Sequence, residues 1–173
     1  MSVERIAASI RDIKDFPKPG IIFKDITPVL KSSEIFSEVI EIMASRYPKK
    51  PDYIVAVESR GFIFGSALAY KLGCGIIPIR KKGKLPYKTI EASYNLEYGS
   101  AAVEIHSDAI NHGDKVVLID DLLATGGTAG ASIRLIEKLG GKIIGIEFLV
   151  ELAFLNGRAH ISSHPVNSIV VVK

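Results

Sequence analysis

At 173 residues, with 47% hydrophobic and 24% charged residues, the chain has the composition of an ordinary globular protein with room for a full core, and one domain over residues 1–173 is expected. A net charge of +3 is too small an excess to predict a nucleic-acid partner, though it suits an anionic small substrate. A lone cysteine, Cys74, excludes an internal disulfide, Glu147 and Glu151 break the longest apolar run before it could span a membrane, and Glu4, Arg5, Arg11 and Asp12 interrupt any signal-like stretch, so the expected location is the cytoplasm.

Ile6, Ile10 and Ile13 share one face of a helix predicted from Ser2 to about Asp15, with Ser2 as N-cap. The run from Phe16 to Pro28 (Phe-Pro-Lys-Pro-Gly-Ile-Ile-Phe-Lys-Asp-Ile-Thr-Pro) holds too many prolines and too tight a glycine for regular structure, so a loop is expected. Its crowded apolar residues must be buried, either as a connector stapled to the core or as walls for a flat heteroaromatic ligand. Ser32 or Ser33 caps a helix to about Tyr47, with Ile35, Phe36, Val39, Ile40 and Met43 facing inward. Tyr53 to Val57 reads as a buried strand, and Glu58-Ser59-Arg60-Gly61 leads straight into a helix closed by Gly73. A helix start beside a cationic Arg60 suits an anion; the alternative is Ser59 as a plain N-cap with Arg60 in solvent.

Ile76 to Ile79 is a short strand that Pro78 places near a sheet edge. From Arg80 to Lys88 five of nine residues are cationic, either a solvated charge run or a set of cations for an anionic ligand. Glu91 to Gly99 and Ala101 to His106 alternate as a polar hairpin.

The most informative stretch runs from Val116 to Ala129. Val116 to Ile119 form a strand buried on both faces, ended by Asp120 and Asp121; Ala124-Thr125-Gly126-Gly127-Thr128 then opens a helix carrying Ile133, Leu135, Ile136 and Leu139. A glycine turn at a helix N-terminus lets backbone N–H groups approach an anion. Two adjacent carboxylates repel a bare polyphosphate but accept hydrogen bonds from sugar hydroxyls or hold a divalent cation, so a phosphorylated sugar is implied. Neither a Walker A loop nor a Gly-x-Gly-x-x-Gly fingerprint is present. Further strands are read at Lys142 to Val150 and Ser168 to Val172, with a turn at Asn156-Gly157; His160 and His164 lie where no helix is expected, which argues against a metal pair. Strands alternating with helices predict an α/β fold with a central, mostly parallel sheet wrapped on both faces.

The apolar strand, Asp120-Asp121 and Ala-Thr-Gly-Gly-Thr resemble the phosphoribosyl pyrophosphate signature of the type I phosphoribosyltransferases, and Phe16 to Pro28 is similar to the N-terminal segment of the adenine-specific branch of that family. The resemblance implies the type I fold, with a small N-terminal hood whose base-binding loop spans about 16–28, and a mobile lid at about 82–106. The implied reaction is purine salvage, adenine plus phosphoribosyl pyrophosphate giving AMP and pyrophosphate. On the same resemblance Ala124, Thr125, Gly126, Gly127 and Thr128 hold the 5′-phosphate, and Asp120 and Asp121 face the ribose. Glu58, Ser59, Arg60 and Gly61 with Arg80, Lys81 and Lys84 hold pyrophosphate, while Ile22, Phe23 and Lys24 contact adenine, Phe23 by stacking and Ile22 through its backbone. Glu97 handles the purine's proton beside Tyr98 of the lid, so the implied catalytic set is Glu97, Arg60, Asp120 and Asp121. Mg2+ is the implied cofactor, bound mainly through the substrate, and the implied assembly is a homodimer without nucleic-acid or membrane partners. Two other readings are a phosphoribosyltransferase for another purine or orotate, and a non-catalytic regulator of the same fold; the Phe16 to Pro28 segment argues against the first, and the lack of a helix-turn-helix ahead of Phe16 against the second.

Overall fold

Strand β7 (Lys115–Leu123) runs through the interior of a seven-stranded sheet, and this position makes Val116 to Ile119 buried without exception. The structure, a computed structural model, describes residues 2–95 and 99–173; Glu97 and Tyr98, expected in the lid, lie outside the described residues. The sheet order is β5 (Thr89–Asn95), β6 (Ser100–His106), β4 (Gly75–Lys81), β3 (Tyr53–Val57), β7, β8 (Lys142–Leu152), β9 (Val166–Val172). The five strands from β4 to β9 in that order are parallel, whereas β5 and β6 form the antiparallel hairpin expected from their alternation.

Successive side chains of a strand point to opposite faces, so β7 divides its apolar residues between two cores. Val117 and Ile119 join Ile54 and Leu149 against α3 (Ser33–Ser45) and α4 (Gly61–Leu72), which contribute Val39, Met43, Phe64 and Leu68. Val116 and Leu118 pack with Val55 on Ile133, Leu135 and Ile136 of α5 (Gly127–Lys138). Helices therefore cover both faces, as the alternation of strands and helices predicts. The predicted caps also stand: the Ser32 hydroxyl accepts from Ile35 N at 3.3 Å, and Gly73 closes α4 in the left-handed region.

The N-terminal segment departs from expectation. Helix α1 (Val3–Ser9) stops six residues before Asp15, and Arg11–Lys14 is instead strand β1, paired antiparallel with β2 (Ile22–Asp25) so that Ile13 faces Phe23 across the ladder. The helical spacing of Ile6, Ile10 and Ile13 is real, but pairing with β2 outweighs it. Pro17 and Pro19 fall in the connecting turn and block no ladder bond. A short helix α2 (Thr27–Lys31) follows, with Pro28 in its first turn, where a missing N–H costs nothing. Pro78 sits where expected: β4 pairs with β3 from Gly75 to Ile79 but with β6 at Arg80 and Lys81, which leaves an open edge beside the proline. No helix among the described residues is long and apolar enough to cross a membrane.

One buried polar knot joins α3 to the sheet. Fully buried Glu147 of β8 accepts from Tyr47 Oη at 2.7 Å and Asn167 Nδ2 at 2.9 Å, and pairs with Arg46. Burial pushes the Glu147 carboxyl above its usual range against the pull of these donors. Glu147→Ala strands three donors and is expected to cost about 3 kcal/mol in urea unfolding, with Glu147→Gln costing less. A loss well under 1 kcal/mol for the alanine variant would show that the knot contributes nothing.

Candidate functional site

Both helices that start at the carboxyl ends of the central strands lack a side-chain cap. The N-cap residue of α4 is Arg60 and that of α5 is Gly126, and neither caps its helix's first turn through a side chain, in contrast to Ser2 and Ser32 on α1 and α3. Ser59 is therefore not the plain N-cap of the alternative reading. Between the two helix starts lies a cleft of about 360 Å3 lined by Glu58, Ser59, Arg60, Arg80, Lys81, Asp120, Asp121 and Thr128. Beside it, Ala124, Thr125, Gly126, Gly127 and Thr128 line a niche of about 80 Å3 that also reaches Asp120. Gly61 packs so closely on β7 that a methyl group there would stand 3.0 Å from Asp120 Oδ1.

The two acids are bound to one another and to a cation. Asp120 Oδ1 accepts from the Asp121 N–H at 2.8 Å, and Arg60 Nε lies 2.9 Å from Asp121 Oδ2. Burial pushes both carboxyls upward; for Asp120 the neighbouring Asp121 adds to it, and for Asp121 the Arg60 guanidinium opposes it. Arg60 also places its Cζ 5.2 Å from the centre of the Phe23 ring, which in turn meets Phe16 edge to face at 5.2 Å. One side chain thus ties the hood to the acids at the end of β7.

The cationic run is held by two carboxylates. Glu58 accepts from Arg80 Nε and Nη2, both at 3.2 Å, and from the Lys81 N–H at 2.9 Å; Arg80 Nη1 reaches Lys84 O at 3.0 Å. Buried Glu104 of β6 accepts from the N–H groups of Lys84 at 2.9 Å and Leu85 at 2.8 Å. Burial acts to raise both carboxyls, yet Arg80 and Lys81 hold Glu58, and the N–H groups of Leu85, Gly83 and Lys84 hold Glu104, below the usual range. Among the described residues no carboxylate pairs with the ammonium groups of Lys81 or Lys84, whereas Lys82 pairs with Glu91 at 2.8 Å.

Not every expected contact converges. Lys24 pairs with Asp12 at 2.6 Å, and with Ile22 it lines a separate apolar cavity of about 510 Å3 on the side of β2 away from Phe23. Lys84 is not among the residues lining the cleft; its carbonyl accepts from Arg80, which is. His164 lies 3.2 Å from Glu137, and no cluster of three or more His, Cys, Asp or Glu among the described residues could hold a metal alone. Sequence reasoning missed Tyr94 and Leu122, which also line the cleft. The alternation of Ala92 and Tyr94 along β5 carried the signal for the tyrosine, since both pack inward onto the α5 side.

Comparison with known proteins assigns this architecture. Residues 26–171 match the family model for the phosphoribosyl transferase domain. The adenine phosphoribosyltransferase of Brachyspira hyodysenteriae is 55% identical over 162 residues, 93% of this chain and 95% of the relative. The chain belongs to the adenine phosphoribosyltransferases. The enzyme of that name from Thermotoga maritima is 52% identical over 163 residues, covering 94% of each chain. In three dimensions, the adenine phosphoribosyltransferase of Thermoanaerobacter pseudethanolicus matches with a TM-score of 0.95 at 50% identity, over 99% of this chain and 100% of that one. The Saccharomyces cerevisiae enzyme, solved with an imino-altritol bisphosphate and adenine, matches with 0.92 at 38%, over 96% and 97%. The family membership makes this chain a pentosyltransferase with the type I fold expected from its motifs.

The raised carboxyls of the acid pair set a pH dependence. The folded protein binds the Asp120 proton more tightly than the unfolded chain does, so stability falls as pH rises from the ordinary carboxylate range through the raised native value. Asp120→Asn, which keeps an acceptor for the Asp121 N–H, is expected to raise the Tm of the ligand-free protein at pH 8 and to lose that advantage near pH 4. A variant less stable than the parent at pH 8 would contradict the assignment.

Proposed function

We propose that this cleft transfers the phosphoribosyl group of phosphoribosyl pyrophosphate to adenine, giving AMP and pyrophosphate. The observation that supports it best is the convergence on Arg60 of the hood ring Phe23, the acid Asp121 and the uncapped start of α4. N9 of adenine bonds to C1′ as the C1′–O bond to pyrophosphate breaks, and the N9 proton passes to a base, for which we assign Glu97. Phe23 stacks on the purine and the Ile22 backbone reads its edge. Asp120 and Asp121 accept from the ribose hydroxyls as positive charge builds on the sugar. The niche from Ala124 to Thr128 holds the 5′-phosphate on backbone N–H groups. Arg60, Lys81 and the Arg80 fork, with the turn Glu58 to Gly61, receive the departing pyrophosphate.

Glu58 itself binds no anion in this scheme; it aims Arg80. Asp120 and Asp121 offer oxygens that would fit one side of a magnesium ion bound mainly through the substrate, where it would offset the negative charge of the departing pyrophosphate. The β5–β6 hairpin with the cationic run, about 82–106, serves as the lid that keeps water from the ribosyl cation, and residues 1–173 form one domain. A cytoplasmic homodimer completes the reading. The open edge of β4 beside Ile76, with Ile63 and Tyr70 exposed at helical spacing on α4, supports a self-interface.

Product formation with magnesium and phosphoribosyl pyrophosphate, offered adenine, hypoxanthine, guanine, xanthine and orotate in turn, tests the reaction. AMP from adenine alone is expected; turnover of another base would move the specificity, and sugar-phosphate binding without turnover would favour a regulator. Glu97→Gln is expected to lower kcat while leaving sugar-phosphate affinity in place, and unchanged turnover would remove Glu97 from the proton transfer. Asp120→Asn combined with Asp121→Asn should weaken ribose 5-phosphate binding, and equal affinity would sink the ribose assignment.

A further inference from the structure

The niche proposed for the 5′-phosphate has no side chain capping the helix behind it, so the direction of its N–H groups must be imposed from elsewhere. Tyr94 of β5 lies against Gly127 at one end of the niche, and against its loop from Ala124 to Gly126 lies the turn between β8 and β9. Gly157 and the loop from Ala124 to Gly126 meet backbone to backbone: a methyl group on Gly157 would collide with Ala124 O and stand 2.9 Å from Gly126 N. A methyl group on Gly126, whose φ is +85°, would stand 2.5 Å from Gly157 O. No side chain fits between them, so the loop takes its position from Gly157.

Gly157 is in turn fixed by its neighbour. The Arg158 guanidinium spends its donors on protein: Nε on Glu151 Oε1 at 2.9 Å, Nη1 on Val166 O at 2.7 Å, Nη2 on Ser168 Oγ at 3.3 Å and on Glu151 Oε2. Ser168 Oγ donates to Glu151 Oε2 at 2.6 Å. Glu151 is buried, and on β8 it stands in register with Leu123, the last residue of β7 before the loop. The Arg158 bonds hold the Glu151 carboxyl below its usual range, so the pair stays charged through neutral pH. The fork is planar and bidentate, the geometry that fixes orientation as well as distance.

We propose that Arg158 and Glu151 are positioning residues for the phosphate loop: their ion pair sets Gly157 against Ala124 to Gly126 and thereby aims the N–H groups that receive the sugar's 5′-phosphate. The proposal rests on the phosphate assignment made above. A pair that merely staples β8 to β9 would affect Tm and the active fraction, whereas a positioning pair changes affinity for one substrate.

The test compares wild type, Arg158→Ala, Arg158→Lys, Glu151→Gln and Ser168→Ala for ribose 5-phosphate binding by calorimetry, KM for each substrate, kcat and Tm. Expected is a rise of about tenfold in the ribose 5-phosphate Kd and in the KM for phosphoribosyl pyrophosphate for Arg158→Ala and Glu151→Gln, with the adenine KM unchanged within about twofold. Arg158→Lys falls between, because an ammonium cannot reproduce the fork, and Ser168→Ala, which keeps it, stays near wild type. Should Arg158→Ala not fold, Arg158→Lys and Glu151→Gln carry the same comparison. A drop in Tm with unchanged sugar-phosphate affinity, or an equal rise in both KM values, overturns the proposal. Wild type that binds ribose 5-phosphate but forms no AMP would remove the reaction while the binding data still decide the role of the pair; wild type that binds no sugar phosphate overturns both.

Discussion

Two carboxylates at the end of a buried strand are tolerable only if something nearby is positive, and in this fold that is Arg60. Its guanidinium reaches Asp121 at 2.9 Å and lies over the ring of Phe23. Asp120 and Asp121 sit where a parallel sheet opens its carboxyl edge, the usual place for ligands in such sheets, yet the same position takes water from them and drives their pKa values up. Arg60 relieves the nearer acid and also meets the small β1–β2 sheet, which among the described residues pairs with no strand of the larger sheet. The hood is held over the cleft through a residue of the cleft.

Carboxylates elsewhere around the cleft do the opposite of what their charge suggests. Glu58 and Glu104 stand among the cations of the Arg80 to Lys88 run, and a bare acid there would repel pyrophosphate. Each is already saturated by donors from that run, Glu58 by Arg80 and Lys81, Glu104 by the backbone of Lys84 and Leu85. They order a self-repelling cationic stretch into a defined shape, and among the described residues no carboxylate pairs with the ammonium groups of Lys81 or Lys84.

The legible parts of the sequence are those where neighbouring residues decide the outcome. Around β7 and α5 the apolar run, the paired acids, the glycine turn and the helical spacing all agree, and the structure places Asp120 to Thr128 around a cleft and its niche as that agreement predicts. The N-terminal region was less legible because its outcome depends on a partner strand: Ile13 continues the helical spacing of Ile6 and Ile10, but across from it stands Phe23. Lys24 reads as a ligand contact in a line of residues, and only the pleat shows its side chain on the far face of β2, bonded to Asp12. Arg158 and Glu151 gave no local signal at all. Their bond spans a turn, and its consequence lies at Gly126, more than twenty residues earlier in the chain.

The narrow seam between the hairpin and the rest of the sheet has a mechanical meaning. β6 meets β4 in only two residue pairs, Arg80 with Glu104 and Lys81 with Val103, before the strands part beside Pro78. The rest of the hairpin's support comes from α5, where Ala92, Tyr94, Val103 and Ile105 pack and the Arg134 guanidinium donates to Ser93 O at 2.7 Å. Its joint with the remainder of the sheet is thus made of two cationic residues that line the cleft. Sheet continuity and charge delivery rest on the same two positions.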